Sequence, residues 1–350
     1  MEKFRQFADE STGINPYIPI WGQTKTSILR KILGIPIFIS RSAILSICLA
    51  MFVVLSIIVE LIYLDHLRIV FFSIFLNGLS RVILFCFGCI WISENLDKSV
   101  TLPLSTDKKK CRTRKVIYVN RQGFCDIFVC SSVLGDPEYL FMGDSGMYLA
   151  SNSLSALLFS IVGAKKNIRG ISRISSASKL KPIYNSLRPL VVFMEEVNTN
   201  GTCILEWNKT EKIPDTSEMR DLFGENSESM VIQYNIARSL YGPQFTTGDF
   251  VSHLFNMLSK ITHFKIDLKI VSSEVLKSRI SRKSDGNGLG DKNSNISLKD
   301  LQKKRRIDDL LSSIQNIQGK SSSLPIVTSG TEEAQGFIEY WEKTNKGKSV

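Results

Sequence analysis

Three short stretches of this chain hold side chains whose types and order suit acid–base or anion chemistry. Asn120-Arg121-Gln122-Gly123-Phe124-Cys125-Asp126 places a guanidinium, a thiol and a carboxylate close together. Gly163-Ala164-Lys165-Lys166-Asn167-Ile168-Arg169 carries three positive charges fit to hold a phosphate monoester. Phe193-Met194-Glu195-Glu196-Val197-Asn198-Thr199-Asn200-Gly201 combines two carboxylates with amides. Each also has an ordinary reading: Asp126 as a helix cap, the cations as a solvated face, the glutamates as part of a turn. Arg121 is not a general base, because a guanidinium keeps its proton up to pH values above about 12. Proton transfer would then fall to Asp126 or Glu195, directly or through water, or to His253 or His263 folded into a cleft. Cys125 is a weaker option as an acyl-accepting nucleophile, since a neighbouring aspartate disfavours its thiolate.

Loops like these act together only if strands and helices bring them to one edge. Residues Lys115 to Val119, Glu138 to Met142, Leu190 to Met194, Ser229 to Gln233 and Phe264 to Val271 are rich in β-branched and aromatic residues and read as strands. Ile127 to Leu134, Gly146 to Val162 and Ser175 to Leu187 read as helices. Such alternation implies an α/β fold with a mixed sheet covered by helices. In sheets of this kind ligands gather beyond the carboxyl ends of the strands, where the three loops can converge.

The apolar residues are concentrated before residue 93. Ala43 to Leu64 is long enough to span a hydrocarbon core, and after Asp65-His66-Leu67-Arg68 a second apolar run extends from Ile69 to Ile92. The pair predicts a membrane hairpin over residues 35–92. Arg81 in the second run is costly if it faces lipid at mid-depth, so that run is either shallow or turns Arg81 toward protein or phosphate. Cations flank the hairpin on both outer sides, which places both ends in the cytosol. Thr12-Gly13-Ile14-Asn15-Pro16-Tyr17-Ile18-Pro19, in the segment 1–34, reads as an interfacial loop. No apolar core of a cleaved signal precedes it.

Residues 93–276 make up the α/β domain. Residues 277–350 form a basic, partly disordered region with short helices, one of them over Leu298 to Ile314 and carrying Lys303-Lys304-Arg305-Arg306. With 44 basic and 33 acidic residues the chain has a net charge of +11, suited to anionic lipid, a phosphate-bearing substrate or nucleic acid. No aromatic recognition motif accompanies the cations, which argues against nucleic acid. Seven scattered cysteines point to a reducing compartment without a disulfide framework. Cys86 and Cys89 have redox-like spacing but lie in an apolar run with no second ligand pair.

In this order, behind a hairpin, the three stretches resemble the lysophosphatidic acid acyltransferase superfamily. That family carries Asn-His-x-Ser-x-x-Asp, then an arginine-bearing block, then Phe-Pro-Glu-Gly-Thr. Asn120 and Asp126 match the ends of the first block, Arg169 the second, and Phe193 and Glu195 the third. Arg121 stands in place of the catalytic histidine, Gly123 in place of the serine, and Met194 in place of the proline. A divergent fungal branch, the lysophosphatidic acid:oleoyl-CoA acyltransferases, is more similar: Thr12 to Pro16, the missing histidine and Asn200-Gly201 all have counterparts there. The resemblance implies acyl-CoA as co-substrate with no further cofactor and no metal. It implies lysophosphatidic acid as acceptor, an anionic membrane surface as partner, and a cytosol-facing domain at the endoplasmic reticulum and lipid droplets. By this likeness Asp126, Arg121 and Glu195 carry catalysis, while Asn120, Lys165, Lys166, Arg169 and Asn198 bind substrate. The alternative is a catalytically inactive member with a lipid-binding or membrane-organising role.

Overall fold

The computed structural model describes residues 2–19, 28–61, 65–96, 115–143, 146–162, 168–174, 188–207, 227–236, 241–260, 263–272 and 311–345. The fold is α/β, built on an eight-stranded mixed sheet covered by helices, in the order β1-β9-β8-β2-β6-β3-β4-β5. These strands are β1 Cys89–Leu96, β2 Val116–Val119, β3 Glu138–Gly143, β4 Gly146–Ala150, β5 Ile171–Ile174, β6 Leu190–Phe193, β8 Ser227–Ile236 and β9 Phe264–Val271. The centre, β8-β2-β6-β3, is parallel, and β3–β4, β4–β5 and β8–β9 are antiparallel. A separate two-stranded ladder pairs β7 Ile204–Leu205 with β10 Ile326–Val327.

Both faces of the parallel centre are buried, so its strands read as unbroken apolar runs. Alternate residues serve opposite faces. Ile117, Val119, Tyr139, Phe141, Val191 and Phe193 join the core beneath most of the helices. Val116, Tyr118, Leu140, Met142, Leu190 and Val192 join a second core with Leu311, Ile314 and Ile317.

On the first face lie α1 Ile28–Leu61, α2 Asp65–Cys86, α3 Cys125–Leu134, α4 Ser153–Val162 and α5 Phe250–Ser259. Among the described residues, one helix segment, Gly34–Leu55, is by length and composition able to cross a membrane. On the second face residues 311–322 form α6. Helix α7, Thr331–Asn345, meets the N-terminal 3₁₀ helix Glu2–Phe7 through Phe4, Phe7, Tyr17, Phe337 and Trp341.

The structure departs from the sequence expectations at three elements. The apolar run from Ile69 does not continue as helix to Ile92: α2 ends at Cys86, the chain turns at Gly88 (φ 99°), and Cys89–Leu96 becomes an edge strand parallel to β9. Gly146 to Val162 is not one helix, because Gly146–Ala150 returns antiparallel along β3 before α4 begins. The segments that become strands, Cys89–Leu96 and Gly146–Ala150, are short, and in such segments pairing partners decide between strand and helix. Finally, α6 is described only from residue 311 and runs past Ile314 to 322, its apolar side buried against the sheet. Ser175 to Leu187 and Lys303 to Arg306 lie outside the described residues.

Candidate functional site

The carboxyl ends of β2 and β6 are neighbours, because the two strands pair in parallel from Val116 opposite Leu190 to Val119 opposite Phe193. Beyond β2 the chain runs into Asn120, Arg121 and Asp126, and beyond β6 into Glu195. All four are buried. Asn120 acts as a side-chain extension of the ladder: its Oδ1 accepts the Ile232 N–H at 2.8 Å, and its Nδ2 donates to the Ile232 carbonyl at 3.1 Å.

Asp126, in the first turn of α3, is fully enclosed. Its Oδ2 accepts the backbone N–H groups of Gln122 (2.6 Å) and Gly123 (2.8 Å), and its Oδ1 accepts the Tyr234 hydroxyl at 2.6 Å. Burial raises its pKa to about 6, against the pull of these donors and of Arg121. Glu195 is buried too: Oε2 accepts the Arg121 backbone N–H, and Oε1 accepts Leu205 N–H at 2.8 Å. Burial pushes its pKa up to about 8. The Arg121 guanidinium lies over the Phe141 ring, 5.4 Å from its centroid, and donates from Nη1 to the Glu196 carbonyl at 2.9 Å. Burial lowers its pKa to about 10, so it stays charged at neutral pH. Its Nε–H is buried and has no hydrogen-bond acceptor among the described residues. The Arg121 charge acts on both buried acids and offsets part of the cost of enclosing a charge there.

Around this cluster the loops are tied together. Thr199 donates its N–H (2.9 Å) and hydroxyl (3.2 Å) to the Arg121 carbonyl. Asn198 Nδ2 donates to the Phe245 carbonyl at 3.0 Å, and its buried Oδ1 accepts no hydrogen bond from the described residues. Asn200 donates to the carbonyls of Asn15 (3.0 Å) and Ile18 (2.9 Å), so the Thr12 to Pro19 segment is pinned to this loop. Gly201, at φ 80°, would bring a Cβ to 2.4 Å from Gln122 Oε1, which explains a glycine at that turn.

The structure brings Asn120, Arg121, Asp126, Glu195 and Asn198 to one end of the sheet. Arg169 lies elsewhere: it is exposed and precedes β5, the edge strand, with β6, β3 and β4 between β5 and β2. Ile171 is level with Ala150 and Tyr139, so Arg169 lies by the amino ends of the parallel strands, opposite the cluster. Lys165 and Lys166 lie outside the described residues. Cys125 is enclosed, and burial with Asp126 beside it raises its thiol well above the ordinary value, which removes the nucleophile reading. His263 is exposed. His253 is buried among Phe124 and Phe245, its Nδ1 is 2.8 Å from the Tyr241 hydroxyl, and burial lowers its pKa to about 4, so it is neutral at pH 7. Tyr234 is the member that sequence reasoning missed. It lies in an ordinary-looking strand 108 positions from Asp126, and no local pattern marks it.

No protein-family model matches the chain, and no curated protein matches it. Among solved structures, the crystal structure of the 1-acyl-sn-glycerophosphate (LPA) acyltransferase PlsC from Thermotoga maritima matches at 12% identity with a TM-score of 0.39. The match covers 82% of this chain and 98% of that one. A likeness this distant carries no argument about activity.

Proposed function

We propose that the chain transfers an acyl group from acyl-CoA to lysophosphatidic acid at a membrane surface. One observation carries the reading. A buried, charged Arg121 lies beside Asp126 and Glu195 at the carboxyl ends of β2 and β6, with its Nε–H unpartnered among the described residues. In the proposed reaction the lysolipid hydroxyl gives its proton to Asp126 while its oxygen attacks the thioester carbonyl. Arg121 donates to the developing oxyanion. Collapse breaks the C–S bond, and the proton passes from Asp126 to the departing CoA sulfur. Glu195, with both oxygens on backbone N–H groups, is a positioning residue that holds the Arg121 backbone. Asn198 binds substrate in this reading through its Oδ1, which accepts no hydrogen bond from the described residues. The endoplasmic reticulum and lipid droplets are the proposed location, with the domain in the cytosol.

The test is CoA release from oleoyl-CoA and lysophosphatidic acid by purified protein in mixed micelles. Asp126→Asn and Arg121→Gln should each lower turnover by about 10²-fold or more. No turnover in the wild type, or full turnover in both variants, sinks the reading.

A second reading rests on the occupancy of the carboxylates: Asp126 already accepts three hydrogen bonds and Glu195 two. If Tyr234 is not displaced, Asp126 is a loop anchor and the chain binds lipid without turnover. Saturable lysolipid binding with no product over hours would select that reading.

A further inference from the structure

Helix α1 is mostly apolar, yet its two sides do different things. Gly34, Phe38, Arg41, Leu45, Cys48, Phe52 and Leu55, spaced alternately four and three residues apart, are buried or half-buried along one side. That seam is fastened to the α/β domain at both ends. At its start, a Cβ on Gly34 would stand 2.8 Å from the Ser259 carbonyl, Phe38 meets the Phe255 ring at 4.8 Å, and Arg41 Nη1 donates to the Lys260 carbonyl at 3.0 Å, all at the end of α5. At its far end, Phe52 meets Phe128 of α3 at 6.0 Å. From Gly34 to Phe52 the helix covers about 27 Å at 1.5 Å per residue. A helix attached along that length to the α/β domain cannot run across a bilayer without drawing α3 and α5 into it.

The opposite side of α1 is exposed and apolar, with Ile35 (62%), Ile39, Ile47, Met51 and Val54 in one stripe. The helices beside it continue that surface. Leu158 and Val162 are exposed on α4, and Val251 (70%) and Phe255 on α5, both helices in contact with α1. Ile74, Phe75, Val82 and Phe85 are exposed on α2. So many exposed apolar side chains on helices packed beside one another are uncommon on a protein surrounded by water. Arg81, exposed and hydrogen-bonded to Asn77 at 3.1 Å, gives the face a cation at headgroup reach. We propose that α4 and α5 join α1 and α2 in one lipid-facing surface, so that α1 lies in the plane of a single leaflet and the bilayer runs parallel to the sheet. The occupant is the acyl-chain layer of a phospholipid membrane, continuous with the helix already long and apolar enough to enter one.

Depth measurement tests this without reference to turnover, so its failure is separable from failure of the acyltransferase reading. Single cysteines replace Ile39 and Val54 on α1, Leu158 or Val162 on α4, Val251 or Phe255 on α5, and Glu342 on α7. The background is Cys111→Ser, the six described cysteines being buried. Fluorophore labels are then read in phosphatidylcholine–phosphatidylserine vesicles carrying nitroxides at defined acyl positions. The expected result is quenching at one shared depth for α1, α4 and α5, and none at 342. A depth difference of about 20 Å between positions 39 and 54, as a crossing helix requires, overturns the proposal. So does absence of quenching at both positions on α4 or on α5, including the case where a second copy of the chain covers them.

Discussion

Asp126 and Glu195 both have pKa values raised by burial, to about 6 and about 8 from ordinary values of 3.8 and 4.5. The folded chain therefore binds these protons more tightly than the unfolded chain. The stability they contribute is complete below their ordinary values and declines as pH rises through the folded ones. We predict that the urea-unfolding free energy falls between pH 5 and pH 8, and that Glu195→Gln flattens the fall above pH 6. An unchanged slope in the variant would show that Glu195 does not titrate there. Catalysis has the opposite sign, since Asp126 must be deprotonated to act. Acyl transfer should rise through about pH 6, and the residual activity of Asp126→Asn should lack that limb. In Asp126→Asn the amide can turn its oxygen to the two backbone N–H groups and its nitrogen to the Tyr234 oxygen. Asp126→Leu leaves those buried N–H groups unpaired, at about 1–3 kcal/mol each, so its urea midpoint should fall well below that of Asp126→Asn.

At the scale of elements, the contact between α1 and α5 makes a prediction against helix propensity. Gly34 lies inside α1, where alanine ordinarily stabilises a helix by about 1 kcal/mol. Here a Cβ would meet a backbone carbonyl that cannot move without shifting α5. Gly34→Ala should therefore lower the melting temperature and speed amide exchange in α5; a rise in melting temperature would refute the close packing. Strand β1 illustrates what was and was not legible at this scale. Its residues read as a continuation of an apolar helix, because Ile90, Trp91 and Ile92 suit either state. Its partner, β9, begins at Phe264, far beyond any window that local periodicity can examine. The same holds for β4, whose strand state depends on pairing with β3 on one side and β5 on the other. Strands β2, β6 and β9 were legible because apolar content, length and flanking turns all agree there.

Across the whole molecule, the two termini close over the candidate site. Tyr17 donates to the Gly330 carbonyl at 3.0 Å and lies 2.8 Å from the Ser329 hydroxyl; Thr331 donates to Glu196; and Asp9 Oδ1 accepts the Thr328 N–H at 3.2 Å. Removing α7 by truncation after Gly330 strips the aromatic cover from Phe4, Phe7 and Tyr17. Amide protection should then drop in residues 9–18 and in 195–202, which Asn200 links to them. Loss confined to the N-terminal segment would show that the site loop stands without its cover. By itself the sequence determined the α/β class, the order of the three stretches and the apolar character of the first two helices, because each is written in local composition and period. Only the tertiary structure decided that Asp126 and Glu195 already hold backbone and tyrosine donors, that Arg169 lies at the other end of the strands, and that α1 runs along the domain. Those facts depend on contacts between residues remote in the chain, and no local pattern of side chains encodes which distant partner occupies a given atom.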